Sequence, residues 1–142
     1  MSGRDLSAEN RSRVAALYTD YIRGDMPAVM AALDKNVVWT SDGDGCAPWA
    51  GRWLGKAGVA GYFAALATSC EVLTYDIERI LADGEWVTLL ATIRVRYVGD
   101  GLERQYAKVD IMRLVNGRVV EFREFYDTAS MVCDLERASA AR

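Results

Sequence analysis

The chain has 142 residues, 51% hydrophobic and 26% charged, with a formal net charge of −3 and no histidine. Those proportions supply a core for one domain and exclude general disorder, and an acidic chain with scattered arginines offers no basic stripe for nucleic-acid phosphates. Without histidine there is no Ser-His-Asp or Cys-His pair and no His-ligated zinc or iron, so acid–base work falls to Asp, Glu, Tyr, Lys or a water they hold.

From the N-terminus, Met1 to Asn10 is polar and lacks the apolar centre of a signal peptide. No run of about 18 apolar residues is present to span a bilayer. Cys46, Cys70 and Cys133 are odd in number and lack metal spacing. These features predict a cytoplasmic protein with no membrane partner. Ser7 reads as the cap of a first helix whose apolar face is Val14, Leu17, Tyr18, Tyr21 and Ile22. Gly24 ends it, and Asp25 caps a second helix with Pro27 in its first turn. Val37 to Trp39 reads as a short strand. Residues 41–51 read as a loop, with three Gly, one Pro and two Asp. A third helix starts near Gly55 or Lys56 and carries Val59, Tyr62, Phe63 and Leu66 at helical spacing. Four strands follow, Glu71–Leu81, Trp86–Tyr97, Leu102–Leu114 and Arg118–Tyr126. Asp83-Gly84, Gly99-Asp100-Gly101 and Asn116-Gly117 turn the chain between them. Thr128 to Arg137 reads as a short terminal helix. Helices followed by a meander predict an α+β fold. Long strands in a small domain curl, and a curled sheet closed by helices encloses an interior suited to a ligand.

Several segments carry a family resemblance: Gly24-Asp25, Asn36-Val37-Val38-Trp39, Pro48-Trp49-Ala50-Gly51, Gly55-Lys56-Ala57-Gly58-Val59 and Tyr62-Phe63. Asp110-Ile111-Met112-Arg113-Leu114, Asn116-Gly117-Arg118-Val119 and Arg123-Glu124-Phe125-Tyr126-Asp127 complete the set. In this order they resemble the nuclear-transport-factor-2-like superfamily, in its SnoaL-like polyketide cyclase and ketosteroid isomerase branch. The likeness runs from about Arg11 to Asp127. It implies one SnoaL-like domain over 1–142, with a core at 11–127 and a C-terminal extension at 128–142. The fold it implies is a cone-shaped, strongly curved mixed or antiparallel sheet with three N-terminal helices enclosing a pocket, also called cystatin-like. It also implies a second subunit on the convex face.

Strand alternation sorts the side chains. A three-residue loop at Asn116-Gly117 pairs Leu114 with Arg118 and sets Asp110 opposite Phe122, Lys108 opposite Glu124 and Tyr106 opposite Tyr126. A two-residue loop would pair Asp110 with Arg123 and turn Glu124 to the other face; the resemblance favours the three-residue form. The pocket face then holds Leu90, Thr92, Tyr106, Lys108, Asp110, Met112, Phe122, Glu124 and Tyr126. The opposite face holds Leu89, Ala91, Ile93, Val95, Val109 and Ile111, apolar enough to predict a homodimer through it.

Asp110, flanked by Val109 and Ile111, is the leading catalytic candidate: burial would raise its pKa and keep it protonated. The resemblance sets it at the position of the neutral acid of ketosteroid isomerase, a carboxylic acid held uncharged by an apolar site. The plainer alternative is a structural aspartate paired with Lys108, Arg113 or Arg123. By resemblance the isomerase's basic aspartate falls on Thr40, which cannot be a base; Asp42, two residues on, is the substitute candidate or else a solvated turn residue. Tyr18 falls near the oxyanion tyrosine, the plainer alternative being a core tyrosine with its hydroxyl at the pocket mouth. Glu124 falls at one carboxylate of the epoxide-hydrolase Asp-Arg-Asp arrangement, whose Arg-x-Asp strand is replaced here by Ala91 to Arg94. Glu124 is otherwise a cross-strand ion pair with Lys108. Trp39, Trp49, Trp53, Tyr62, Phe63 and Trp86, with Tyr106, Lys108, Phe122 and Tyr126, are the candidate ligand-binding set, either core or lining for a flat apolar ligand. These readings predict a cofactor-independent enzyme, with no metal site, acting on a hydrophobic carbonyl compound by cyclisation or isomerisation. The alternatives are a non-catalytic carrier of the same fold, epoxide-hydrolase-like water activation, or an assembly domain.

Overall fold

A computed structural model describes residues 2–141. Its elements are α1 (Gly3–Ile22), α2 (Met26–Ala31), β1 (Leu33–Ser41), β2 (Gly51–Leu54), α3 (Gly55–Ala67), β3 (Cys70–Asp83), β4 (Trp86–Tyr97), β5 (Glu103–Val115), β6 (Arg118–Tyr126) and α4 (Thr128–Ala140). The strands form one six-stranded sheet in the order β2-β1-β6-β5-β4-β3. Only β1 and β6 run parallel; every other neighbouring pair is antiparallel. The α+β class and the mixed curved sheet follow the sequence reading. Three helices precede the meander, as expected, and α4 adds a fourth beyond it. Among the described residues no helix is long and apolar enough to cross a membrane.

Local chemistry explains most boundaries. Ser2, rather than Ser7, caps α1 by accepting from the Asp5 N–H. Ser7 lies one turn inside, where its hydroxyl accepts from Gly84 N–H at 2.8 Å. Asn10, fully buried, donates to the Gly84 carbonyl at 2.9 Å. The two side chains therefore pin the β3–β4 turn to α1. Asp25 caps α2, and Gly24 at φ 78° ends α1 in the left-handed conformation that glycine tolerates best. The loop read over 41–51 is trimmed at both ends: Ser41 closes β1 and pairs with Gly51, which opens β2, and Trp53 further along lies opposite Trp39.

Two registers decide which residues face inward. Between β4 and β5, Leu89 pairs with Asp110 and Ala91 with Lys108, so odd-numbered β4 residues share a face with even-numbered β5 residues. Leu89, Ala91, Ile93 and Val95 therefore form core rather than outer surface, and all four are buried. Leu90 and Thr92 point the other way. The sequence reading reverses these sets because it carries one parity across the 98–102 connection. The expected apolar outer face loses four of its six members and keeps Val109 and Ile111. Trp86 also lies on that outer side: it is 44% exposed, with the Arg113 guanidinium 5.9 Å from its ring.

The β5–β6 hairpin combines features of both expected forms. Its loop is the two-residue Asn116-Gly117, with both residues at positive φ, and Val115 pairs with Arg118. An extra residue on β6, at Val120, then shifts the register, so that Arg113 pairs with Glu121, Asp110 with Glu124 and Lys108 with Tyr126. The bulge restores the inward facing of Phe122 and Glu124 that the three-residue loop implied. The partners are shifted by two residues from those expected.

The C-terminal α4 closes one end of the sheet. Tyr97 and Tyr106 hydroxyls lie 2.7 Å apart, Tyr106 donates to Asp134 at 2.6 Å, and Arg104 donates to the same carboxylate at 3.2 Å. Gly99 passes so close that a Cβ there would lie 2.1 Å from the Ala138 carbonyl oxygen. Gly99→Ala is therefore expected to push the last turns of α4 off the sheet and destabilise the fold by about 1–3 kcal/mol, the usual cost of overpacking. Urea unfolding and amide exchange in α4 check this. A wild-type midpoint with unchanged α4 protection would show that the approach is not a close one.

Candidate functional site

The inner ends of β5 and β6 bring three charges together where water is nearly excluded. Asp110 and Glu124 are 0% and 2% exposed. The Lys108 ammonium lies 2.7 Å from Glu124 Oε2 and 3.3 Å from Asp110 Oδ1. Lys108, rather than Arg113 or Arg123, is thus the partner of both carboxylates. Hydroxyls occupy the remaining positions. Tyr18 of α1 and Tyr75 of β3 both donate short hydrogen bonds to Asp110 Oδ2. Lys108 donates to the Tyr75 hydroxyl at 2.9 Å, so Tyr75 links the ammonium to the carboxylate. Glu124 Oε1 accepts from Ser41 at 2.6 Å and from Tyr62 at 2.8 Å.

The charge balance of this cluster is informative. With all three groups ionised, one cation faces two anions. Burial pushes the Asp110 pKa upward; Lys108 pulls it back, Glu124 adds to the rise, and the two tyrosine hydrogen bonds oppose it, leaving a net increase. Burial alone would weaken the charge on Lys108, but Asp110 and Glu124 outweigh it and hold the ammonium protonated. Burial raises Tyr18, Tyr62 and Tyr75, and the neighbouring carboxylates raise them further, so all three remain neutral donors. The result is an acid whose proton affinity lies above that of an ordinary aspartate and whose Oδ2 is fully engaged. Oδ1 has no hydrogen-bond partner, and the only other buried side-chain polar atom without one among the described residues is Trp39 Nε1.

Both atoms belong to residues lining one cavity of about 50 Å³, together with Tyr18, Tyr62, Phe63, Tyr75, Lys108 and Phe122. The hollow is small because its aromatic lining packs on itself: Trp39 stacks on Phe122 at 3.7 Å, with Tyr62 and Phe63 at 5.5 and 5.7 Å. Drug-sized ligands occupy roughly 300 Å³ or more, so this hollow takes a functional group rather than a polycyclic molecule. Tyr21, Phe63 and Tyr75 also line an open cleft of about 600 Å³ between α1, α3 and β3. A second 50 Å³ hollow on the α4 side shares Tyr62, Tyr75 and Lys108 and is lined by Trp49, Tyr106, Glu124 and Tyr126.

The candidates from sequence thus fall into three groups. Asp110, Tyr18, Lys108, Trp39, Tyr62, Phe63 and Phe122 meet at the first cavity, and Glu124 joins them through Lys108. Trp49, Tyr106 and Tyr126 lie at the second; Trp49 donates to Tyr126 at 3.0 Å, and Tyr106 is engaged with Tyr97 and Asp134. Asp42, Trp53 and Trp86 line neither. Asp42 sits in a bend beyond β1, Trp53 lies over α3 with its backbone against Gly58 and its ring against Gly61, and Trp86 is outside. Thr40 pairs with Arg123, while Ser41, one residue on, faces inward. Sequence reasoning misses three polar members of the site. Ser41 looks like the first residue of a loop. Tyr75 lies between two irregularities in β3 that break its alternation. Tyr21 reads only as part of a helical face.

The inner face of β4 is Leu89, Ala91, Ile93 and Val95, so no arginine stands between two carboxylates as an Asp-Arg-Asp water-activating arrangement requires. The SnoaL-like domain family matches residues 14–122, and the chain belongs to that family. An NTF2-like protein of unknown function from Burkholderia pseudomallei is 31% identical, with a TM-score of 0.81 over 88% of this chain and 95% of its own. TerC, crystallised with polyporic acid, is 19% identical, with a TM-score of 0.80 over 90% and 98%. A Mycobacterium tuberculosis LEH-like epoxide hydrolase is 23% identical, with a TM-score of 0.72 over 95% of each chain. The last two share the fold. No curated protein matches the chain.

Proposed function

We propose that this chain is a cofactor-independent enzyme of the isomerase or cyclase type, moving a proton on a neutral, hydrophobic carbonyl compound. The supporting observation is the Asp110 carboxylate: wholly buried at a cavity, fixed through Oδ2 by two tyrosines, with Oδ1 outside any hydrogen bond and 3.3 Å from the Lys108 ammonium. In its ionised form Asp110 Oδ1 takes the proton from a carbon next to the carbonyl. The C–H electrons move into the C–C–O system to give an enolate, which either takes the proton back from the same oxygen at another carbon, or attacks a second carbonyl carbon of the molecule, whose π electrons pass to its own oxygen and receive the proton there. A base with raised pKa in a dry site suits both halves of that exchange. Lys108, Glu124, Tyr18 and Tyr75 hold Asp110 in place, and Lys108 stabilises the ionised form.

The substrate's reactive group occupies the small cavity and its bulk lies past Tyr21 and Phe63 in the cleft. TerC, which shares this fold, was crystallised with polyporic acid, which supports a small-molecule ligand here. The test is exchange of α-hydrogens in D2O across a panel of neutral ketones, from 2-butanone to 2-octanone and cyclohexanone. Wild type is expected to accelerate exchange of at least one of them and Asp110→Asn to lose the effect. Saturable binding with no exchange by wild type would instead identify a carrier.

The same reading includes a homodimer through the outer sheet surface, now resting on half-buried Leu90, Val109, Ile111 and Phe125. Sedimentation should give a species of twice the 15.7 kDa chain mass; a monomer at every concentration ends that part of it.

A further inference from the structure

Proton abstraction next to a carbonyl needs a donor for the oxygen on which negative charge develops. Of the tyrosine and lysine donors lining the cavity, all but the half-buried Tyr21, which also lines the open cleft, are already committed. Tyr18 and Tyr75 give their protons to Asp110, Tyr62 gives its proton to Glu124, and the Lys108 ammonium is spread over Glu124, Tyr75 and Asp110. The other indoles nearby are also engaged: Trp49 donates to Tyr126 and Trp53 to the Trp49 carbonyl. Trp39 is different. It is 6% exposed, it lines the cavity with Asp110, and its Nε1–H has no acceptor. A buried donor left unpaired costs about 1–3 kcal/mol unless something in the cavity accepts it.

We infer that Trp39 Nε1–H is the hydrogen-bond donor to the ligand's carbonyl oxygen, completing with Asp110 Oδ1 a donor–acceptor pair that recognises a neutral carbonyl group. This rests on the acid–base reading and adds the oxygen-binding residue to it. Trp39 is well held for the role. It sits on β1 opposite Phe122 of the parallel strand β6, and stacks on that ring at 3.7 Å with an interplanar angle of 17°. A ring clamped in that way keeps its N–H in place without reorganisation. The pair also sets ligand charge. The ionised cluster of Lys108, Asp110 and Glu124 carries a net −1, so a carboxylate ligand is repelled where a neutral ketone is not.

The experiment uses 15N-labelled protein, whose four tryptophans give four indole N–H signals; Trp39→Phe assigns the Trp39 signal while keeping an aromatic ring over Phe122. Titration with the ketone series is expected to move that signal downfield to saturation, and octanoate is expected to leave it in place. Trp39→Phe is expected to weaken ketone binding and to slow α-hydrogen exchange on the order of 10²-fold, the scale for loss of one such donor, with the circular dichroism of the fold unchanged. A ketone that saturates other cavity signals while the Trp39 indole stays still, or a Trp39→Phe variant with wild-type affinity and exchange, overturns this inference. If Asp110→Asn still abolishes exchange in that case, the acid–base reading survives it. Failure of every ketone to bind overturns both.

Discussion

Lys108→Met is expected to cost about 3–5 kcal/mol of unfolding free energy, the usual penalty for removing one member of a buried ion pair. The size follows from what remains. Asp110 and Glu124, both buried, would face each other across paired positions of β5 and β6 with no cation between them. Methionine fills the volume of the lysine stem and adds no clash, so the loss reports charge rather than packing. A domain of this size commonly has only about 5–15 kcal/mol to lose, so urea should unfold the variant at a far lower concentration. The control is Lys108→Met with Asp110→Asn and Glu124→Gln. Removing all three charges together leaves hydrogen-bonding groups and no net charge to bury, and most of the stability should return. If Lys108→Met unfolds within about 1 kcal/mol of wild type, the two carboxylates are not both ionised in the resting protein and the net negative charge assigned to the cluster is wrong.

Asp110→Asn is expected to abolish α-hydrogen exchange, by at least the roughly 10²–10⁴-fold that a positioned acid–base group supplies. The same variant is expected to respond to pH in the opposite sense to a surface aspartate. Burial raises the folded-state pKa of Asp110 above its unfolded value, near 3.9 for a free aspartate. A group shifted upward lends stability that is complete below the unfolded pKa and is lost as pH climbs through the folded one. Wild type should therefore lose ground to Asp110→Asn as pH rises from about 4 toward neutrality. Denaturation curves for the two at matched pH values check the sign. A difference independent of pH would mean that Asp110 ionises equally easily folded and unfolded, leaving no raised proton affinity for catalysis to use.

Helix faces, turn glycines and strand lengths carry enough local chemistry to be read from the sequence. Gly24, Asp25, Pro27 and Asn116-Gly117 each stand where backbone geometry demands them, and the apolar spacing of Val14, Leu17 and Tyr18 does mark the buried side of α1. Parity across connections is a different matter. Nothing between Val98 and Leu102 announces whether odd or even residues of β4 will face Asp110, and the wrong choice exchanges core for surface. The site is legible where burial of a charge is conspicuous, as at Asp110 and Lys108. Tyr75 and Ser41 are not visible, because a tyrosine in an irregular strand and a serine at a strand end have many commoner uses. Tyr18, set near the oxyanion tyrosine by the resemblance, donates with Tyr75 to the Asp110 carboxylate. That commitment draws attention to Trp39.

The extra residue at Val120 has an implication for comparing this chain with its relatives. Beyond it, every side chain of β6 points to the opposite side from where an unbroken ladder would send it, so the cavity owes Phe122 and Glu124 to a single surplus amino acid. A homologue with a strand of equal length but no bulge would turn the counterparts of Phe122 and Glu124 outward, whereas one that simply lacks the surplus residue keeps them opposite the counterparts of Met112 and Asp110. Transfer of residue roles within such a lineage should follow the pairing of the last two strands before it follows aligned letters.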